Sequence, residues 1–423
     1  MKLLNKAKAA AAAIKDKVDT RKQLRGPADL RYAIADTISA LNPEHWRAIT
    51  QNASLFMSIH YLAALEQNRP ANMANRYALI YAQDGLHPIA AMAMQLLTID
   101  MAVANPHALE TGKRKLFAPL AKEISDRLPQ RILACGNFLT FGLHGLAVDD
   151  RVDSHLIWHG VSEVMYRVRQ ADKLSGRTQF ALIKDLHGPS IKPAKYLENL
   201  SYRLVETEPN MVLTVQPSWK TYDDYLASLA SKYRSTIKNS IFKPIEASGC
   251  TVESLRNLQE HEARIFALYR SVHENADFQP FTLLPKYFAA LEQALGENFR
   301  CKVVKRGDTV LGFLICVKDG LTTIAYHIGF DRVAAEELPI YLRLLHESIA
   351  DAIDWRCTAI SFGRTALAPK AALGAKPEPF SVLVRHNQPV LNKLIKRLLQ
   401  GIDHDEAPDR NPFKVPKENP AQP

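Results

Sequence analysis

The chain has 423 residues, 47% hydrophobic and 23% charged, a globular composition with more material than one core uses, so two domains are expected. Its five cysteines, Cys135, Cys250, Cys301, Cys316 and Cys357, are odd in number and form no CxxC pair; a disulfide framework and a thiolate zinc site are both unsupported, and a reducing cytoplasm fits. The net charge of +10 favours anionic partners without choosing among lipid, RNA and an acidic substrate.

Residues 1–26 read as a basic extension, with eight Lys or Arg against two Asp. Lys15 and Lys17 interrupt the alanine run Ala9–Ala13 before a signal-peptide core or a membrane span can form. A solvated basic helix and a segment drawn to an anionic surface describe this stretch equally well.

A first domain is expected over 27–192. Its helix Tyr61-Leu-Ala-Ala-Leu-Glu-Gln67 recurs as Tyr287-Phe-Ala-Ala-Leu-Glu-Gln293, and a hairpin follows each copy. The first hairpin runs from Arg76, turns at Gln83-Asp-Gly-Leu86 and returns through Ile89–Met94; the second runs from Cys301, turns at Arg306-Gly-Asp308 and returns through Val310–Cys316. The same order at nearly the same offset predicts tandem α/β units. The longer interval 98–131 in the first copy reads as an insertion with a helix near Lys115–Leu128.

Further on, Asp150-Arg151-Val152 leads to a helix over His155–Asp172 and the strand Phe180–Ile183, while Asp331-Arg332-Val333 leads to a helix over Ala335–Trp355 and the strand Ala359–Phe362. Strand, helix and strand in that order make crossover units over a mixed sheet. Residues 193–210 read as a linker. The second domain, 211–400, opens with the strand Met211–Val215 and a helix over Tyr222–Ile237, apolar at Tyr225, Leu226, Leu229 and Tyr233 and basic at Lys232, Arg234 and Lys238. A basic amphipathic helix over Val390–Leu399 precedes a polar, proline-containing tail, 401–423, expected to be disordered.

Four stretches carry a family resemblance: Ser218–Arg234, Ala325-Tyr-His-Ile-Gly-Phe-Asp331, the helix near Leu338–Ile353, and Phe362-Gly-Arg-Thr365 with Lys370 and Gly374. Over about 190–390 the chain resembles the Fem-like branch of the GCN5-related N-acetyltransferase (GNAT) superfamily, with the first half resembling a divergent partner domain. The resemblance implies two tandem acyl-CoA N-acyltransferase-like domains of mixed α/β fold and transfer of an activated acyl group to an amine. The superfamily's Arg/Gln-x-x-Gly-x-Gly/Ala loop is replaced by Phe330-Asp-Arg-Val-Ala-Ala335. Acyl-CoA is the expected co-substrate, charged tRNA the alternative donor, and an amine-containing small molecule or cell-envelope precursor the acceptor. A noncatalytic module that binds an anionic partner is a third reading. Location is expected to be cytoplasmic, with peripheral contact at the inner membrane left open.

Acyl transfer needs donors at the carbonyl oxygen and a route for the amine proton. Tyr326, His327 and Asp331 are the catalytic candidates; the alternatives are a core tyrosine, a locally bonded histidine and a helix cap. Ile328, Gly329 and Arg332 are candidates for holding the donor, with Gly329 allowing close approach. Arg234, Arg364, Thr365 and Lys370 are candidates for substrate binding, Thr365 as a hydrogen-bond donor and the three basic residues expected to converge on phosphate or an acidic group; turn stabilisation and a solvated basic face are their bland alternatives. No metal is expected: His155, His159 and His187 lack the glutamate of a His-Glu-x-x-His motif, and Gly142-x-x-Gly145 reads as a turn.

Overall fold

The computed structural model describes Lys15 and residues 26–100, 129–276, 278–400 and 407–414. The basic extension except Lys15 and Gly26, the insertion helix near Lys115–Leu128 and the ends of the tail lie outside the described residues.

In the first half, β1 (Arg31–Ala35), α1 (Pro43–Thr50) and α2 (Ile59–Gln67) precede the hairpin of β2 (Met73–Tyr81) and β3 (Pro88–Ile99). After it come β4 (Gln130–Cys135), β5 (Leu146–Val148), α3 (Ser154–Ala171) and β6 (Phe180–Leu186). Asn42 and Ser58 cap α1 and α2 by accepting backbone N–H bonds, and Asp153 does the same for α3. The stretch read as a linker is built into the fold: residues 195–200 make a 3-10 turn and β7 spans Arg203–Thr214. Leu197 and Val205 are buried there, and alternation in the first part of β7 was masked by its charged and polar residues.

The second half continues with α4 (Tyr222–Ser228), α5 (Ser231–Ile237), β8 (Cys250–Leu255), α6 (Glu262–His273) and α7 (Tyr287–Leu295). Then follow β9 (Phe299–Arg306), β10 (Thr309–Asp319), β11 (Thr322–Phe330), α8 (Arg332–Glu337), α9 (Ile340–Asp354), β12 (Ala359–Ser361), α10 (Leu367–Ala372), β13 (Lys376–His386) and α11 (Pro389–Gln400). Two helices expected as single pieces are broken. Leu229 leaves the helical region between α4 and α5, and Pro339 separates α8 from α9, as a ring without an N–H must.

The strands form one continuous sheet in the order β1-β2-β3-β4-β6-β13-β7-β12-β11-β10-β9-β8, with β5 on β3. Most neighbours are antiparallel, but β4–β6 and β11–β12 are parallel, and each parallel pair is joined through its crossover helix, α3 or α9. Late strand β13 lies between β6 and β7 and so stitches the halves together. The run Val310–Val317 of β10 is buried throughout, as expected for a strand covered on both faces. One apolar core runs through both halves, uniting Trp46, Phe56, Tyr61 and Leu65 with Leu268, Phe288, Phe313 and Tyr326.

The tail departs from expectation. Residues 407–414 pack on the second half: Ala230 N donates to Pro412 O (2.8 Å), Lys414 N to Ser228 O (3.0 Å), and the Phe413 ring meets Trp219 and Tyr225. An isolated aromatic in a polar context gave no periodic signal. No helix among the described residues is long and apolar enough to cross a membrane.

Candidate functional site

The parallel pair β11–β12 is in register only at Thr322↔Ala359, Thr323↔Ile360 and Ile324↔Ser361. Beyond these, β11 continues beside β10, whereas the chain after Ser361 follows β7, with Phe362 N donating to Met211 O (2.9 Å). The two strands therefore splay. At the splay the β10–β11 register slips, Cys316↔Ala325 being followed by Ile315↔His327, so Tyr326 is a one-residue bulge. A bulge takes backbone groups out of the ladder and re-aims the side chain.

The first half breaks the corresponding strand at the corresponding place. Met94 pairs with Cys135 and Met92 with Leu146, and residues 136–145 leave the sheet between them. Ala93 holds both ends of this excursion: its N–H donates to Gly145 O (2.9 Å), and its carbonyl accepts from Gly136 N (3.1 Å). The excursion lies against the end of β6, where Lys184 Nζ donates to Thr140 O (2.7 Å) and Gly142 N to Asp185 Oδ2 (3.1 Å). It is fastened to the other half through His144, whose Nδ1 is 2.6 Å from Ser54 Oγ, while Ser54 donates to Asp319 (2.8 Å).

The echoed helices α2 and α7 pack on each other and bring the tyrosine that opens each echoed heptapeptide, Tyr61 and Tyr287, to the bulge. Tyr326 Oη is 3.1 Å from Tyr61 Oη and 2.5 Å from Tyr287 Oη, and Asn137 Nδ2 donates to Tyr61 Oη (2.7 Å). All three tyrosines are buried. Burial, followed by the neighbouring Tyr287 and Tyr61, pushes the Tyr326 phenol well above its ordinary pKa, so its hydroxyl stays protonated. A cavity of about 10 Å3 lined by Phe56, Gln95, Asn137 and His144 has room for one water molecule.

His327 lies edge-on to the rings of Tyr269, Tyr287 and Phe288. Burial, and then His273, pushes its pKa down to about 3; at neutral pH it is an uncharged and weak base. Gly329 does not open a cleft, because a Cβ there would sit 2.4 Å from Phe313 Cε1 and 2.7 Å from the Leu268 backbone. Its job is to let α6 approach the strand. Ile328 is half-buried in the same strand, packed against the cluster containing Leu314 and Leu344.

Asp331 accepts from Ala334 N (3.2 Å) as the α8 cap and from Arg264 Nη2 (3.1 Å). The cap bond, with Arg264 beside it, lowers its pKa despite some burial. Arg332 is exposed.

The basic candidates do not converge. Arg234 Nη1 donates to Leu229 O (2.8 Å) and closes the end of α4. Lys370 is buried, and Nζ spends all three donors on the carbonyls of Gly363 (3.2 Å), Arg364 (2.6 Å) and Thr365 (2.8 Å). It braces a turn in which Thr365 and Ala366 have φ of 65° and 44°, a conformation that costs non-glycine residues energy. Thr365 itself is exposed.

Arg364 reaches across to the first half, where it pairs with Asp185. Asp185 is fully buried and also takes Lys184. The guanidinium lies over Phe141 and Phe380, at 5.5 and 5.6 Å from their ring centres. Gly363, at φ 73°, admits Phe141, which a Cβ would meet at 2.7 Å.

Sequence reasoning missed Tyr61, Tyr287, Asn137, Lys184 and Asp185. The tyrosines were readable as the first residue of the repeated heptapeptide; the others are polar residues that also take partners far away in sequence, Tyr61 for Asn137, Thr140 for Lys184 and Arg364 for Asp185.

Residues 231–371 match the acetyltransferase (GNAT) domain family. No curated protein matches the chain. Among solved structures it is similar to FemX, with 12% identity over 84% of this chain and 98% of the other at a TM-score of 0.50. It is similar to the same degree to a tandem GNAT protein from the clavulanic acid biosynthesis pathway, with 10% identity over 85% and 99% at 0.50. The chain therefore has the tandem GNAT fold, and the resemblance read from the four stretches holds at that level.

Proposed function

We propose that this protein is an N-acyltransferase that moves the acyl group of an acyl-CoA thioester to an amine, with the reaction at the β11–β12 splay of the second half. The carrying observation is the asymmetry of the two splays. One has a single-residue bulge at Tyr326 inside the matched GNAT segment; the other is filled by its own residues 136–145. A backbone N–H released by the bulge is a preorganised donor for the oxygen that gains charge during attack.

In this reading the amine nitrogen attacks the thioester carbonyl, the C–N bond forms, the C–S bond breaks and the departing sulfur takes up the amine proton, with no covalent enzyme intermediate. Tyr326, kept protonated by burial, positions the bulge through Tyr61 and Tyr287; His327 packs beside it, and neither side chain serves as the base. Exposed Arg332 and the start of α9, which no side chain caps, are suited to the donor's phosphates. Arg364, braced by Lys370, fixes the β12 turn that forms the other wall.

The burial of Tyr326 and the ring packing around His327 also favour a second reading, a noncatalytic binding protein. Incubating purified protein with an acyl-CoA panel, charged tRNAs and amine acceptors, with amide exchange followed over 325–345, separates the two. Acyl-CoA-dependent protection of that segment together with mass-resolved transfer is the expected result. Transfer from charged tRNA alone would replace the donor, and neither protection nor transfer would overturn the acyltransferase reading.

A further inference from the structure

A second polar cavity lies far along the first-half sheet from the splay, at the end where β4 and β6 begin. It measures about 320 Å3 and is lined by Arg169, Gln170, Lys173, Arg177, Thr178 and Asn387, at the lower end of the size range of small-ligand sites. Its walls come from the last turn of α3, the loop into β6 and the turn after β13, so three separate elements build it.

Three observations give it a ligand. The first is charge: Arg169, Lys173 and Arg177 line it, and among the described residues no carboxylate pairs with any of them or with nearby Arg385. Burial, with Arg385 and Arg177 close by, lowers the Arg169 pKa even though Tyr202 opposes this. Like charges held together without a counterion are a cost that an anion removes.

The second is unsatisfied polar atoms. Thr178 is only 3% exposed and its Oγ1 lacks a hydrogen-bond partner, as do Arg169 Nε and Asn387 Oδ1. Buried groups of this kind ordinarily find partners. A guanidinium N–H and a hydroxyl suit anionic oxygens, while an amide oxygen suits a hydroxyl donor. The third is position: β4 and β6 are paired from Ile132↔Phe180 to Cys135↔Ile183, so this cavity and the residues at the splay sit at opposite ends of the parallel pair. The favourable setting of basic residues at a helix C-terminus explains Arg169 and Lys173 but not Arg177 or the unpaired Thr178 and Asn387.

We infer that this cavity binds a phosphate ester carrying a free hydroxyl, with Arg169, Lys173 and Arg177 on the phosphate, Thr178 beside it and Asn387 on the hydroxyl. The ester has two sources, a soluble phosphorylated polyol and a lipid headgroup. Leu174, fully exposed next to Lys173, stands where a bilayer surface would meet it.

The test titrates the full chain with glycerol phosphate by calorimetry and, separately, with vesicles of phosphatidylcholine with and without phosphatidylglycerol by co-sedimentation. Lys173→Glu and Arg177→Glu alter exposed side chains and are expected to fold; Lys286→Glu makes the same charge change on the other half. At least tenfold weaker binding in the first two, with Lys286→Glu like wild type, is the expected result. Seen with glycerol phosphate it assigns a soluble ester, and seen only with phosphatidylglycerol vesicles, and weakened there by Leu174→Ser, it assigns the headgroup. Absence of binding in both arms, or equal weakening by all three charge reversals, overturns the inference.

Discussion

Substituting Arg364 tests whether this residue holds the halves together or is free for substrate. Asp185 is fully buried and takes Arg364, Lys184 and Gly142 N. Burial opposes ionisation of its carboxyl, but Lys184 and Arg364 outweigh it and hold the pKa below the usual carboxylate value. Asp185→Asn would leave two cations facing each other with no counterion, a loss of about 3–5 kcal/mol for a broken buried pair. Arg364→Ala leaves Asp185 its lysine and its backbone donor, so only one charge-assisted bond is lost, about 1.5–3 kcal/mol. Urea unfolding of both variants and the double variant gives the coupling between them, expected to be about 1–3 kcal/mol for charges in contact. Additive effects, or an Arg364→Ala protein as stable as wild type that has lost only ligand binding, would refute the bridging role and return Arg364 to the substrate.

Gly329→Ala should destabilise by about 1–3 kcal/mol through overpacking against Phe313 and the Leu268 backbone, read as a lowered thermal midpoint. His346 is buried, with Nδ1 2.8 Å from Tyr222 Oη, and burial followed by Arg343 pushes its pKa from 6.5 to about 3. The unfolded chain therefore binds more protons between those values, and stability falls as pH drops through that window, by about 2 kcal/mol from pH 6.5 to 5; urea titrations of His346→Phe should show a correspondingly shallower fall. Phe413→Ala should cost about 1–2 kcal/mol for a half-buried ring, and an unchanged unfolding midpoint would show that the 407–414 segment contributes nothing to the second half.

What could be read from the sequence was periodic or repeated. Strict apolar runs announced β3 and β10, crossover spacing announced α3 and α9, and the heptapeptide echo announced the tandem fold. What could not be read depended on contacts that no periodic or repeated pattern records. Lys370 looks like a ligand-binding cation until its three carbonyl partners are seen. Gly329 looks like an opening until α6 is seen lying on it. Arg364 reads as a cation for phosphate or an acidic group, and nothing near it in sequence reveals that Asp185, 179 positions away, already pairs with it. Pro193–Asn210 reads as a linker because Glu206, Glu208 and Asn210 dilute the apolar alternation of a strand that nevertheless joins the sheet.

The two halves solve one local problem in opposite ways. Each must interrupt the strand that leads into its parallel pair, since a ladder continued on both sides would leave no backbone group facing the splay. In the second half the interruption is Tyr326 alone, and the side chain it releases is caught by Tyr61 and Tyr287, one from each echoed helix. In the first half it is residues 136–145, long enough to reach Asp185 on β6 and Ser54 and Gly363 outside it. That length turns the first splay into a fastening, because Asn137 feeds the tyrosine cluster while Phe141 and Asp185 hold Arg364. The geometry of the second splay thus depends on residues supplied by the first half, and a second half separated from its partner would keep the GNAT strands while losing the contacts that set the bulge and the β12 turn.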